Sequence, residues 1–309
     1  MSQPILLDNA QMASFAARGF LRLDAVVPDA INRQFLADIA TVSPEPGTIR
    51  EHYGKIMRNS VVPLVPAGTP LDEAYSADSA LHGLLQVPEV FGAIRSLVGA
   101  NCVVDHHFLH ITFPPPYHSP DEPEPVAQAT HQDSTIDPRR AFDVQLFYFP
   151  HPVTEDMGGT RFIPGSHFRR VSEAAIARYQ NIIGQQHVVC PAGTVMIFHM
   201  GLWHGGGLNR SEQLRYMFKI RLCPTQRQLR LWAVDDTDLT APQRPIFWTN
   251  GSANAAHLHS VLTRFEPWFE ADTGRLELIN RIRFWRYLTG DDNFDADYWV
   301  TRIENEYAP

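Results

Sequence analysis

The chain has 309 residues, 44% of them hydrophobic and 19% charged, with a formal net charge of -8, which allows one large core and excludes a nucleic-acid surface, since that needs a basic stripe. No run approaches the roughly 18 apolar residues of a membrane span, and Met1-Ser2-Gln3-Pro4 opens no basic-then-apolar leader, so a cytoplasmic protein is expected. Cys102, Cys190 and Cys223 lie far apart with no C-x-x-C pair, which excludes a disulfide framework or thiolate zinc and leaves nitrogen and oxygen to hold any metal.

Residues 1–100 read as mainly helical with one early strand. Asp8 is placed to cap a helix whose Met12, Phe15 and Ala16 share a face, and Gly19 ends it before a strand from Phe20 to Leu23. A second helix follows Pro28 through Ile31, Phe35, Leu36 and Ile39. A third pattern runs from Ser79 to Leu97, and Pro88 splits it in two.

From Asn101 to Cys223 the character changes to short β-rich runs: Cys102 to Phe113, Phe142 to Phe149, Thr160 to Ile163, His187 to Val189, Thr194 to His199 and Arg215 to Leu222. Gly and Pro separate them, at Gly158-Gly159, Pro164-Gly165, Pro191 to Gly193 and Gly205 to Gly207. Such spacing suggests an antiparallel sandwich or barrel. The acidic, Pro-rich stretch Pro114 to Pro125 reads as an exposed insertion. Residues 224–309 read as a mainly helical extension rich in aromatics (Trp268, Phe269, Phe284, Trp285, Trp299), which suit core or the interface of a homodimer. One catalytic domain over residues 1–309 is expected.

The chemistry begins at His131-Gln132-Asp133. Two metal-capable side chains two residues apart project to the same side of an extended segment. His204, after the apolar run Thr194 to Phe198, supplies a third ligand. Two imidazoles and a carboxylate leave three positions of an octahedral iron open, enough for a bidentate 2-oxoacid and dioxygen. Alone, H-x-D is weak and most often a surface turn. Arg215, eleven residues after His204, strengthens it: it lies on a run that otherwise reads as core strand, and a guanidinium is rarely buried without an anion. The bland alternative is a structural ion pair.

The segments QATHQD (Gln128 to Asp133), GGTRFIPGSH (Gly158 to His167) and HGGGLNRSEQLR (His204 to Arg215), in this order, resemble the phytanoyl-CoA dioxygenase superfamily of Fe(II)/2-oxoglutarate oxygenases, over about two thirds of the chain. The resemblance implies a double-stranded β-helix (a jelly-roll, cupin-like core) that is mainly β with flanking helices. It implies His131, Asp133 and His204 as iron ligands, Arg215 as partner of the distal carboxylate of 2-oxoglutarate, and Gln128 and Thr160 beside that cosubstrate. The activity it implies is Fe(II)-, 2-oxoglutarate- and O2-dependent hydroxylation or related oxidation of a small molecule, with release of succinate and CO2.

The rival readings are an acyl-CoA hydroxylase of the same family, a non-catalytic jelly-roll binding protein and a zinc hydrolase on the same three ligands. With only two lysines, Lys55 and Lys219, and the acidic Asp121, Glu122 and Glu124 before the H-x-D motif, a small neutral or cationic substrate is expected over an acyl-CoA. No nucleic-acid or membrane partner is expected. His106 and His110 share a strand face and read as core or pocket wall, Arg161 and His167 as loop-shaping, His199 as packing, and Asn209 as a turn residue.

Overall fold

A computed structural model describes residues 3–40, 62–118, 124–133, 143–168 and 182–225. The expected tail helices, Asp121, Glu122 and Lys55 lie outside the described residues.

The first helix, α1 (Asn9–Arg18), starts on a capping box: the Asp8 carboxylate accepts from Gln11 N at 2.7 Å, and Gln11 Oε1 accepts from Asp8 N at 3.0 Å. It ends at Gly19, whose φ of 79° lies in the left-handed region and where a Cβ would strike the His167 ring. Strand β1 (Phe20–Leu23) follows at once, then α2 (Asp29–Ala40), a two-residue β2 (Thr69–Pro70), and α3 (Ala80–Leu85) and α4 (Pro88–Val98), separated at Pro88 as the sequence predicts.

The strands that follow are β3 (Val103–Thr112), β4 (Val144–Phe149), β5 (Thr160–Phe162), β6 (Gln186–His187), β7 (Thr194–His199), β8 (His204–Gly206) and β9 (Arg215–Cys223). They form two sheets: six strands in the order β1-β7-β4-β9-β3-β2 and three in the order β6-β5-β8, all described pairs antiparallel. Gly205 and Gly206, read from the sequence as turn, are instead in a strand, because β5 and the segment before His131 supply β8 with partners on both sides.

Alternation along the large sheet divides the core in two. Val144, Leu146 and Tyr148 of β4, Val195 and Ile197 of β7, and Phe218, Ile220 and Leu222 of β9 pack with the helices around Phe15, Phe35, Leu84 and Ile94. The opposite face carries Phe147, Phe149, Met196, Phe198 and Met217, which meet Phe162 of the small sheet; the Phe162 and Phe198 rings lie 5.1 Å apart. Two antiparallel sheets face to face with helices on one outer side make this a double-stranded β-helix, a jelly roll. β1, from the helical N-terminal part, completes one edge of the large sheet, so residues before 101 belong to the same core. Among the described residues no helix is long and apolar enough to cross a membrane.

Candidate active site

The space between the sheets opens at one end into a cavity of about 300 Å³. It is lined by His131, Asp133, His204, Arg215, Gln128 and Thr160, so the six residues singled out in the sequence share one site.

His131 and His204 are brought together by the backbone. Each donates its N–H to the other's carbonyl at 2.9 Å, an isolated antiparallel bridge that sets the two side chains on one face. Gln128 extends this pairing, since its N–H donates to Gly206 O at 3.0 Å and its Oε1 accepts from Gly206 N at 2.9 Å. Thr160 stands opposite Gly206 on the other side of β8. A Cβ on Gly205 would come within 3.0 Å of two carbonyl oxygens, Gln128 and Ala129, so a glycine lets the strips approach.

Both rings are oriented in the same way. His131 Nδ1 lies 2.9 Å from Ala129 O and His204 Nδ1 2.9 Å from Leu202 O, each the carbonyl two residues earlier. A carbonyl only accepts, so both Nδ1 atoms carry a proton, which leaves Nε2 as the nitrogen of each ring that could ligate. Both Nε2 atoms face Asp133: His131 Nε2 is 3.2 Å from Oδ1, and His204 Nε2 is 3.7 Å from Oδ2. One ligand atom from each of the three lies within 4.8 Å of the others. Cis donors at metal bonds of about 2.1 Å sit roughly 3 Å apart, so the three groups would have to draw somewhat closer to hold one ion as an N,N,O set.

The electrostatics fit a cation held there. Burial would raise the Asp133 pKa, but the hydrogen bonds with His131 and Lys219 and the positive electrostatic surroundings outweigh it and hold the carboxyl well below the usual range. Burial pushes His204 down to about 4, which keeps it neutral and able to ligate. His131 is raised, because its bonds to Asp133 and to the Ala129 carbonyl outweigh its burial.

Arg215, 2% exposed, opens β9 and points into the same cavity. Nη2 donates to Thr112 Oγ1 at 2.5 Å, while Nε and Nη1 have no partner, and no carboxylate pairs with it among the described residues. Burial depresses its pKa to about 10, well above neutral pH, so a buried cation with two open N–H groups faces the cavity. That arrangement suits an anionic ligand with a carboxylate.

The loop-shaping residues hold the walls. Arg161 Nη2 donates to Gln128 O, and His167 Nε2 donates to Ala16 O at 3.0 Å, tying the segment after β5 to α1. His199 packs away from the site against His167, with ring centroids 4.7 Å apart. The Asn209 amide donates to Thr112 O and Gln213 O at 3.0 and 2.7 Å and fastens the turn before Arg215.

His110, read from the sequence as core or pocket wall, lines the cavity, and so does Lys219, which was not assigned from the sequence. Lys219 Nζ donates to Asp133 Oδ2. The signal for it is in β9: strand alternation from Arg215 puts residues 217, 219 and 221 on the same face. Arg221 also supports the site, pairing with buried Asp143 (Nη2 to Oδ2, 2.5 Å) and reaching the Asp133 carbonyl at 3.4 Å.

Comparison with known proteins agrees with this geometry. An uncharacterized protein of Mycobacterium tuberculosis is 28% identical over 141 residues, 45% of this chain and 49% of that one. Dioxygenase trt7 of Aspergillus terreus is 36% identical over 73 residues, 24% of each chain. The chain spans about half the length of the mycobacterial relative it matches, and about a quarter of the fungal one. The fold is shared with the non-heme alpha ketoglutarate dependent carbocyclase SnoK from nogalamycin biosynthesis, at a TM-score of 0.50 and 17% identity over 76% of this chain and 92% of that one. It is also shared with apo HygX from Streptomyces hygroscopicus, at 0.50 and 14% over 71% and 87%. The phytanoyl-CoA dioxygenase (PhyH) profile matches residues 15–217, more than half of the chain and all six residues of the cavity named above. The chain belongs to the phytanoyl-CoA dioxygenase family.

Proposed function

We propose that this protein is an Fe(II)/2-oxoglutarate-dependent dioxygenase that oxidises, most simply hydroxylates, a C–H bond of a small metabolite or natural-product intermediate. The observation that carries the reading is the pairing of two features in one cavity: a His-Asp-His set with both Nε2 atoms turned toward the carboxylate, and a buried guanidinium with two nitrogens that have no partner among the described residues. A non-catalytic binding protein has no use for the second feature, and a zinc hydrolase needs no dicarboxylate partner.

His131, Asp133 and His204 would hold Fe(II), and Arg215 would take the distal carboxylate of 2-oxoglutarate through its planar fork. Bound together, iron and 2-oxoglutarate activate O2 to oxidise the substrate, with succinate and CO2 as co-products. The chain's own groups orient and shield. Gln128, whose Oε1 is taken by Gly206 N–H, has its amide N–H groups to donate, and Thr160 contributes a hydroxyl to the same wall. Phe147 and Met217 cover the cavity with apolar surface and limit water. Because Asp133 supplies a carboxylate where a halide would need an open position, the outcome favoured is oxygenation rather than halogenation.

Iron-dependent conversion of 2-oxoglutarate to succinate, even without prime substrate, tests the reading. Wild-type protein should carry it out slowly, and His204→Ala should abolish it. Equal rates in the two proteins would overturn the assignment.

A further inference from the structure

The cavity wall carries one charge that the proposed cofactors do not use. Lys219 is 7% exposed, and its Nζ donates to Asp133 Oδ2, the oxygen other than the one facing His131. An ammonium has three N–H donors, so this bond leaves two. On β3, His110 stands opposite Met217, one rung between Arg215 and Lys219. Its Nε2 is buried with no partner among the described residues, and burial pushes its pKa down to about 4, so the ring is neutral and has one N–H to give.

The next step rests on the proposed function. A metal dication with Arg215 and Lys219 brings four positive charges, while Asp133 and doubly charged 2-oxoglutarate bring three negative ones. Asp133 is the only acid among the described lining residues, so among them one positive charge is left beside the metal, in a place where an unmatched charge is costly.

We infer that Lys219 is a specificity-determining residue that, with His110, presents N–H donors to an anionic group of the carboxylate class on the prime substrate. This replaces the neutral or cationic substrate expected from composition. The carboxylate would sit against Lys219 and His110, leaving the adjoining carbon chain beside Phe147 and Met217.

The test uses matched monocarboxylates and their primary amides, phenylacetate with phenylacetamide and hexanoate with hexanamide. Binding is measured by anaerobic calorimetry to protein loaded with Mn(II) and 2-oxoglutarate. Wild type should prefer the acid by about ten-fold or more, the range of a hydrogen bond to a charged group. Lys219→Met should bring acid and amide to within about two-fold, and Lys219→Arg should keep most of the preference. Lys219→Gln, with its thermal midpoint measured, stands in if the methionine variant does not fold. Acid and amide binding alike in wild type, neither binding, or a preference that survives in Lys219→Met would overturn the inference. So would an effect confined to the 2-oxoglutarate requirement, which would put Lys219 on the cosubstrate's 1-carboxylate instead. Failure of wild type to bind Mn(II) with 2-oxoglutarate would be seen separately, and would overturn the proposed function and this inference together.

Discussion

At the scale of single residues, the account turns on what each side chain has to bond with. Arg215 lines the cavity and has two buried nitrogens, Nε and Nη1, without a partner among the described residues, and its fork is what a carboxylate matches. Arg215→Lys keeps the charge and loses the bidentate geometry, so the concentration of 2-oxoglutarate needed for half-maximal succinate formation should rise on the order of ten-fold or more, and that of the prime substrate much less. Equal effects on both would count against the assignment. His131, Asp133 and His204 were legible from the H-x-D spacing, a histidine following an apolar run and the family resemblance, and Arg215 because a cationic side chain stood where the strand pattern called for an apolar one. Lys219 was not assigned, although the same alternation puts it on the face of Arg215: a lysine is ordinarily read as reaching solvent, and only the fold turns that face of β9 inward. The tautomers of His131 and His204 were beyond the sequence, since they depend on which carbonyls lie beside Nδ1.

At the scale of elements, the site depends on three residues of β8 held between β5 and the strip ending at His131. The strands long enough to alternate, β3, β4, β7 and β9, were readable to within two residues. β8 was not, because two of its three residues are glycines and its partners come from distant parts of the chain. Gly158 shows how tightly the region is built. It has a φ of 66°, its carbonyl accepts from Gly207 N at 3.1 Å, and a Cβ there would lie 2.4 Å from the Leu208 carbonyl. Gly158→Ala should therefore cost about 1–2 kcal/mol from the left-handed backbone alone, with the clash in addition. A lowered thermal midpoint with weaker metal retention is the expected result, and a variant indistinguishable from wild type in both would refute this reading of the turn.

At the scale of the whole molecule, the buried histidines set a pH dependence. Among the described residues, burial pushes His107, His110, His151, His199 and His204 down, while His131 is raised. A histidine with a depressed folded pKa binds fewer protons folded than unfolded, so its contribution is complete above about 6.5 and is lost as the pH falls toward the folded value. His131 has the opposite sign, and five outweigh one. His199 Nδ1 accepts from Gly201 N at 3.0 Å, a bond that protonation would break. The metal-free protein should thus melt at a lower temperature at pH 5 than at pH 7.5, with a smaller drop in His199→Gln; a midpoint that does not fall would contradict it. The jelly roll and its flanking helices were readable from strand spacing together with family resemblance. The joining of the N-terminal part to the barrel through β1 was not, because pairing of Phe20 with Phe198 leaves no local trace.

The central claim is that one cavity holds both Fe(II) and 2-oxoglutarate. The most direct measurement is an anaerobic titration of Fe(II) into metal-free protein with and without 2-oxoglutarate, for wild type, His131→Ala and Arg215→Lys. The account predicts about one Fe(II) per wild-type chain, bound more tightly with 2-oxoglutarate present. It predicts loss of that binding in His131→Ala, and iron binding that survives in Arg215→Lys with most of the 2-oxoglutarate enhancement gone. Iron binding in His131→Ala equal to wild type, or an enhancement untouched in Arg215→Lys, would contradict it.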